Sequence, residues 1–172
     1  MELKLASRND LPALYEFFAK AVENLRKNGI FIWDDVYPAC ALPGDIEANG
    51  LYMLFDGETL VAAFALCDIN ECEGFVDWID NSAPALFIYR LAVLPSRLGE
   101  GIGSEAMRLA VIEAGLRGAK YLRLLVGDNN ESAIRLYRKN GWSEAKGVFT
   151  KHVSDEITLS ELGFEISTEA KG

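Results

Sequence analysis

LAVLPSRLGEGIGSEAM, residues 91–107, changes character twice within seventeen residues. An apolar, strand-like run ends at Val93 and breaks at Pro95. The chain then passes Gly99, Gly101 and Gly103 at alternate positions and resumes with helical periodicity from Ile102. Each glycine adds conformational entropy that folding must remove, and a strand-to-helix turn needing positive φ ordinarily calls for one. Backbone N–H groups in a tight turn that opens a helix form an anion cradle, strengthened by the helix dipole, and glycine lets a phosphate approach the chain closely. Three glycines here therefore favour a phosphate-binding turn.

The flanks support an α/β reading. ALFIYRLAV (85–93) is apolar almost throughout, as expected of a strand central in its sheet. Ile102, Ala106, Ala110 and Ala114 repeat at i+4 beside Met107 and Val111, with Ser104, Glu105 and Arg108 opposite, so the spacing predicts a helix that stops near Gly118. YLRLLV (121–126) follows as a strand, expected to pair in parallel with ALFIYRLAV through a right-handed crossover. NNESAIRLYRKNG reads as a capped helix closed by Gly141, and the tail from GWSEA through TLSELGFEIS as two further strands.

Upstream, ELKLAS alternates as a strand, and Asp10 with Pro12 opens a helix ending at Gly29. IFIWDDVYPACALPGDIEANG is punctuated for irregular structure or short helices that could line a site. Asp56-Gly57 between two apolar runs is a strong hairpin signal, and INECEGFVDWIDNSAP reads as an acidic, aromatic surface loop. No internal repeat or low-complexity segment interrupts the chain, so one domain over residues 1–172 is expected.

The 172 residues are half apolar, but no run approaches the roughly 18 apolar residues of a membrane span, and MELKLASRND lacks a signal peptide's apolar stretch. A cytoplasmic protein without a membrane partner is expected. Cys40, Cys67 and Cys72 are odd in number and lack C-x-x-C spacing, which argues for free thiols; with His152 the sole histidine, no metal site is expected. The net charge of −9 argues against nucleic acid as partner. Between residues 90 and 140, however, nine Lys/Arg face five acids, a local field suited to a small polyanion.

Three phosphate motifs compete for the glycine turn. A Walker A loop needs a lysine, and none lies between Lys27 and Lys120. Gly101 to Ala106 matches the dinucleotide fingerprint G-x-G-x-x-A, with Asp128 after the next strand, but half the chain precedes it and too little remains for a dinucleotide half. The third reading rests on likeness. RLAVLPSRLGEGIGSEAM followed by YLRLLVGDNNESAIRLYRKNGW resembles the GNAT family of CoA-dependent N-acetyltransferases: an L-A-V strand, a [QR]-x-x-G-x-[GA] loop and an N-x-x-A-x-x-L-Y-x-K-x-G-[FW] helix, over about residues 85–145. The order of the N-terminal strand and helix, the W-x-x-x-Y-P segment at Trp33–Pro38 and the central hairpin also agrees. Leu98 holds the position usually occupied by Gln or Arg, with Arg97 one residue earlier.

The resemblance implies a single-domain GNAT fold: a twisted mixed sheet of six to seven strands flanked by helices, with a central parallel pair splayed for coenzyme A. It implies N-acetyl transfer from acetyl-CoA to a primary amine by direct attack in a ternary complex. The cofactor would pair like an added strand with the backbone of Leu91 and Val93. Its pyrophosphate would rest along Leu98, Gly99, Glu100, Gly101, Ile102, Gly103 and Ser104. An N–H of Leu91 or Ala92 would stabilise the oxyanion. Asn130 would touch the cofactor arm and cap its helix. Tyr137, matching the family's L-Y tyrosine, would act as general acid on the departing sulfur, and Trp142 would pack. The base is a candidate only: Tyr89, or Asp77 or Asp80 through water. Trp33, Asp34, Asp35, Asp77 and Trp78 would form an aromatic, acidic mouth for a small cationic amine, with a protein amine as the other acceptor. A homodimer is left open. The rival from another class is a GNAT-shaped module that binds coenzyme A as sensor or scaffold without turnover.

Overall fold

The computed structural model describes residues 1–152 and 158–169. In chain order its elements begin with β1 (Glu2–Leu5), α1 (Leu11–Lys27), α2 (Leu42–Glu47), β2 (Leu51–Asp56) and β3 (Thr59–Cys67). Then come β4 (Val76–Asp77), β5 (Ala85–Val93), α3 (Ile102–Leu116), β6 (Tyr121–Gly127) and α4 (Glu131–Lys139). β7 (Ser143–Glu144), β8 (Lys146–Gly147), β9 (Phe149–His152) and β10 (Thr158–Ser167) complete it. Backbone proximity divides these into two units, Met1–Cys67 with Ile88–Leu109, and Asp68–Phe87 with the described residues from Ala110 onward. β5 and α3 contribute residues to both.

In the first unit the strand order is β1-β2-β3-β5. β2 and β3 form the antiparallel hairpin expected at Asp56-Gly57, with Asp56 opposite Thr59 and a register shift at Leu54/Phe55. β3 is flanked on both sides, and its Val61–Ala65 run is fully buried, which its small residues permit. On α1, Leu14, Phe17, Phe18, Ala21 and Val22 are buried at i+3 and i+4 spacing. Most of this stripe joins Leu42 and Ile46 of α2 with Leu51, Met53 and Ala92 in one apolar cluster. Burying each large side chain stabilises by about 1.5–3 kcal/mol, an upper estimate given a compact unfolded state. Asp10 holds the position before α1 as expected, but its carboxylate accepts from the Ser7 N–H (2.8 Å) and hydroxyl (2.7 Å) and so secures the preceding turn.

In the second unit the start of β5 pairs in parallel with β6, Ala85–Phe87 against Tyr121–Arg123, and β6 pairs antiparallel with β10 over seven residues. β10 also carries β7 and β9. The pairings thus join eight strands, seven along one path with β9 as the eighth. The tail, expected to give two strands, gives four, because the GWSEAKG stretch breaks into short pieces. The segment expected as a surface loop is partly interior: Cys72, Val76 and Trp78 are buried, and β4 pairs with β8. Around these three, Phe75 and Ile79 remain exposed.

Two charged residues hold that segment. Arg123 and Glu165 are cross-strand neighbours on β6 and β10, with side chains 3 % and 1 % exposed and Nε to Oε2 at 3.3 Å. Glu165 also accepts from the Ile79 N–H at 2.5 Å, Arg123 donates to the Asp80 carbonyl at 2.5 Å, and the guanidinium lies 4.9 Å from the Trp78 ring centroid. Among the described residues, no helix is long and apolar enough to cross a membrane.

Candidate functional site

β5 leads directly into the glycine turn. A single 3₁₀ turn, Pro95–Arg97, follows the strand, and the Leu94 N–H donates to the Val61 carbonyl (2.8 Å), tying the turn to β3. Gly99 and Gly101 have φ of 86° and 82°, the left-handed region that costs an L-residue most. A Cβ added at either would meet nothing within 4 Å, so the need is conformational and the flank is open. Gly103 lies in α3 without positive φ. Turn geometry therefore accounts for two of the three glycines. The first helical bond runs from the Glu105 N–H to the Gly101 carbonyl (3.1 Å), so the turn leads straight into the amino end of α3, the positive end of its dipole. Gly101→Ala should impose strain of about 1 kcal/mol on the turn, read as a loss of unfolding free energy in urea.

The side chains around the turn are already engaged. Arg97 donates to Glu100 (2.6 Å) and Asp56 (2.9 Å), so it clamps the turn to the β2–β3 hairpin and does not replace the polar group absent at Leu98. Leu98 itself is exposed, and Ile102 is buried beneath the helix start. The same pairing recurs through the basic stretch: Arg90, Arg97, Arg108, Arg123, Arg135 and Arg138 each have a carboxylate partner. Six of the nine cations expected to attract a polyanion are thus neutralised locally. The attraction that remains near the turn comes from oriented amides.

Just before Leu91, Ala92 and Val93, Arg90 adopts φ 56° within β5. Its Nε and Nη2 donate to the two Asp45 oxygens (2.7 and 2.5 Å), and Nη1 donates to the Tyr37 hydroxyl (3.0 Å). The paired side chains are 9 % and 13 % exposed. Burial pushes the Asp45 carboxyl up against the pull of Arg90, whereas for Arg90 burial is outweighed by Tyr37 and Asp45, which raise it. Sequence reasoning missed this assembly, because its members lie 45 and 53 residues apart and nothing local to Arg90 announces a left-handed residue. Tyr89, half-buried beside it, packs on the core with the Arg90 guanidinium 5.5 Å from its ring centroid.

The expected acceptor residues have structural duties. Trp33 packs edge-on against Phe18 at 5.9 Å. Asp34 accepts from the Tyr37 and Val36 N–H groups (2.7 and 2.8 Å), and these bonds hold its carboxyl below the usual range. Asp35 pairs with Arg26. In the first unit, α1 and the loop bearing Asp34, Asp35 and Pro38 enclose a groove of about 390 Å³. In the second unit, Asp77 is exposed on β4 opposite Lys146. Bonds from the Ser82 hydroxyl and N–H hold Asp80 low, which makes it a poor base.

Also in the second unit, Asn130 caps α4, its Oδ1 accepting from the Ala133 N–H at 3.3 Å. Tyr137 is buried on the same helix between Trp142 (5.9 Å) and Phe164 (5.6 Å). Burial pushes its phenol far up. Trp142 packs as expected. Burial pushes the Cys72 thiol up to about 11, so it stays protonated near neutrality.

The chain is thus a mixed α/β protein with a glycine turn between a central strand and the following helix. The sequence model of the Acetyltransferase (GNAT) family matches residues 14–142, and the chain belongs to that family. An uncharacterized N-acetyltransferase of Methanocaldococcus jannaschii is 33 % identical over 92 residues, covering 49 % of this chain and 41 % of that protein. The chain thus matches about two fifths of that relative's length. Among solved structures, a GNAT-family acetyltransferase of Streptococcus agalactiae superposes with TM-score 0.77 at 18 % identity, covering 98 % of this chain and 95 % of that one. The ribosomal-protein-S18-alanine N-acetyltransferase of Escherichia coli gives 0.71 at 16 %, covering 99 % and 96 %. YncA of Salmonella typhimurium, solved with its cofactor acetyl-CoA, gives 0.72 at 17 %, covering 100 % and 96 %. At these identities the structures share the fold. The GNAT family uses acetyl-CoA.

Proposed function

We propose that this chain transfers the acetyl group of acetyl-CoA to a primary amine by direct attack in a ternary complex. The observation that carries the reading is the strand-to-helix turn whose Gly99 and Gly101 lie in the left-handed region, in a chain of the GNAT family. Pyrophosphate would rest on the amides from Gly99 to Ser104, where the α3 dipole favours negative charge. The pantetheine arm would bond to the backbone of Leu91 and Val93, and Asn130 would offer the arm its amide nitrogen while its oxygen caps α4.

In the reaction the amine nitrogen's lone pair attacks the thioester carbonyl carbon, and the oxyanion takes a hydrogen bond from the Leu91 or Ala92 N–H. The C–S bond then breaks, and the Tyr137 phenol gives its proton to the departing thiolate. The amine's excess proton leaves through Tyr89 or, by way of water, Asp77. Protonated Cys72 is unsuited to nucleophilic catalysis, in keeping with direct transfer. A small cationic amine is the acceptor favoured by the acidic periphery. The Escherichia coli neighbour is a ribosomal-protein-S18-alanine N-acetyltransferase, which makes a protein N-terminus the competitor to include.

Acetyl-CoA at a hundred times its Kd should stabilise the fold by about 2.7 kcal/mol, read as a rise in Tm, while NAD at the same concentration should leave Tm unchanged. Thiol release should then follow with an amine from a panel of polyamines, amino compounds and peptide N-termini. Stabilisation by NAD alone would return the turn to the dinucleotide reading, and acetyl-CoA binding without thiol release would favour the sensor.

A further inference from the structure

The Arg90 backbone is the one strained point in the strand expected to grip the acetyl donor. A side chain bearing a Cβ resists the left-handed region, and a residue persists there when its surroundings over-determine it. Those surroundings are specific here. Asp45, on α2, accepts from two nitrogens of the Arg90 guanidinium, Nε and Nη2, and Tyr37, beside Pro38, accepts from the third, Nη1. Asp45 is itself fixed, since its carbonyl accepts the Gly50 N–H (2.8 Å) at the start of β2. With its head locked, the Arg90 side chain has little freedom left to release its own backbone.

A left-handed residue inside a strand re-aims the peptide groups that follow it. Those groups are Leu91, Ala92 and Val93. We infer that Asp45 is a positioning residue, which through Arg90 holds β5 in its left-handed kink and thereby aims the Leu91 and Ala92 amides at the thioester carbonyl. This rests on the acetyl-transfer reading for its chemistry; the backbone part stands without it. Tyr37 extends the clamp to the loop that carries Trp33 and Asp34, so the strand gripping the donor and the loop below α1 share one anchor.

The decisive comparison is Arg90→Ala with Arg90→Gly. Both leave Asp45 without its partner, so any difference between them isolates the backbone preference, which glycine alone meets at no steric cost. Kcat per folded molecule should be roughly fivefold higher for the glycine variant. Asp45→Asn, which keeps the shape and weakens the grip, should lower kcat about tenfold while the acetyl-CoA Kd rises by less than that, because the pyrophosphate turn is untouched and only the contacts to the Leu91 and Val93 backbone are disturbed. Should Arg90→Ala fail to fold, Asp45→Asn carries the test.

A purely structural pair would lower Tm in all three and leave kcat per folded molecule alone, which would overturn the inference. Equal kcat for the alanine and glycine variants would do the same. If the wild-type protein binds acetyl-CoA but transfers nothing, the acetyl-transfer reading fails, and the backbone is read directly from the amide resonances of Leu91–Val93. Acetyl-CoA should shift them alike in wild type and Arg90→Gly and differently in Arg90→Ala; coincident shifts in all three would reject the kink as the object of the clamp.

Discussion

Tyr137→Phe should lower kcat by about a hundredfold while the Kd for acetyl-CoA stays within about twofold. The substitution removes one oxygen and keeps the ring between Trp142 and Phe164, so packing is preserved. On the proposed mechanism the lost step is proton donation to the thiolate, which arises as the C–S bond breaks, so the effect falls on the transition state and not on binding. Burial raises the phenol above its ordinary value of 10.0. The neutral form is thus favoured in the fold, and the associated stability is complete below pH 10 and lost as pH rises through the raised value. Kcat should accordingly show no Tyr137-dependent decline up to that ordinary value. Equal kcat for wild type and variant would remove Tyr137 from the chemistry and leave its burial as packing.

Glu165→Ala should cost about 3–5 kcal/mol of unfolding free energy, measured by urea denaturation, because it strands the buried Arg123 charge. The Ile79 N–H would lose its acceptor at the same time, so the Trp78–Asp80 segment should loosen with it. Replacing both partners, Arg123→Leu with Glu165→Leu, should recover most of that loss, since the desolvation penalty disappears together with the attraction. A single-variant loss under about 1 kcal/mol would mean that water reaches the pair. The double replacement separates the two contributions: whatever destabilisation it leaves belongs to the anchoring of Ile79 and Asp80.

The strand-to-helix turn was legible in residues 91–107 because the forces there are local. Glycine at Gly99 and Gly101 answers a dihedral demand within a few bonds, and the helix that follows carries its amphipathic period in its own residues. The Asp56-Gly57 hairpin and the Asn130 cap were legible for the same reason, each being settled by neighbours within three positions. Gly103 needs no positive φ: composition counts glycines, and only backbone geometry shows which positions a turn demands. Asp34 and Asp80 look available in sequence, whereas adjacent N–H groups already hydrogen-bond to them.

By itself, then, the sequence determined the alternation of strands and helices, the central hairpin, the turn that opens α3 and the likeness to one family, because periodicity and turn chemistry are short-range. Only the tertiary structure decided which charges face water. Arg123 met Glu165, Arg90 met Asp45 and Arg97 met Asp56 across 42, 45 and 41 residues. Those pairings turned an apparently basic stretch into a set of internal clamps. Charge is visible in a sequence; its partner is not, because electrostatic pairing depends on distance in space, which the fold alone sets.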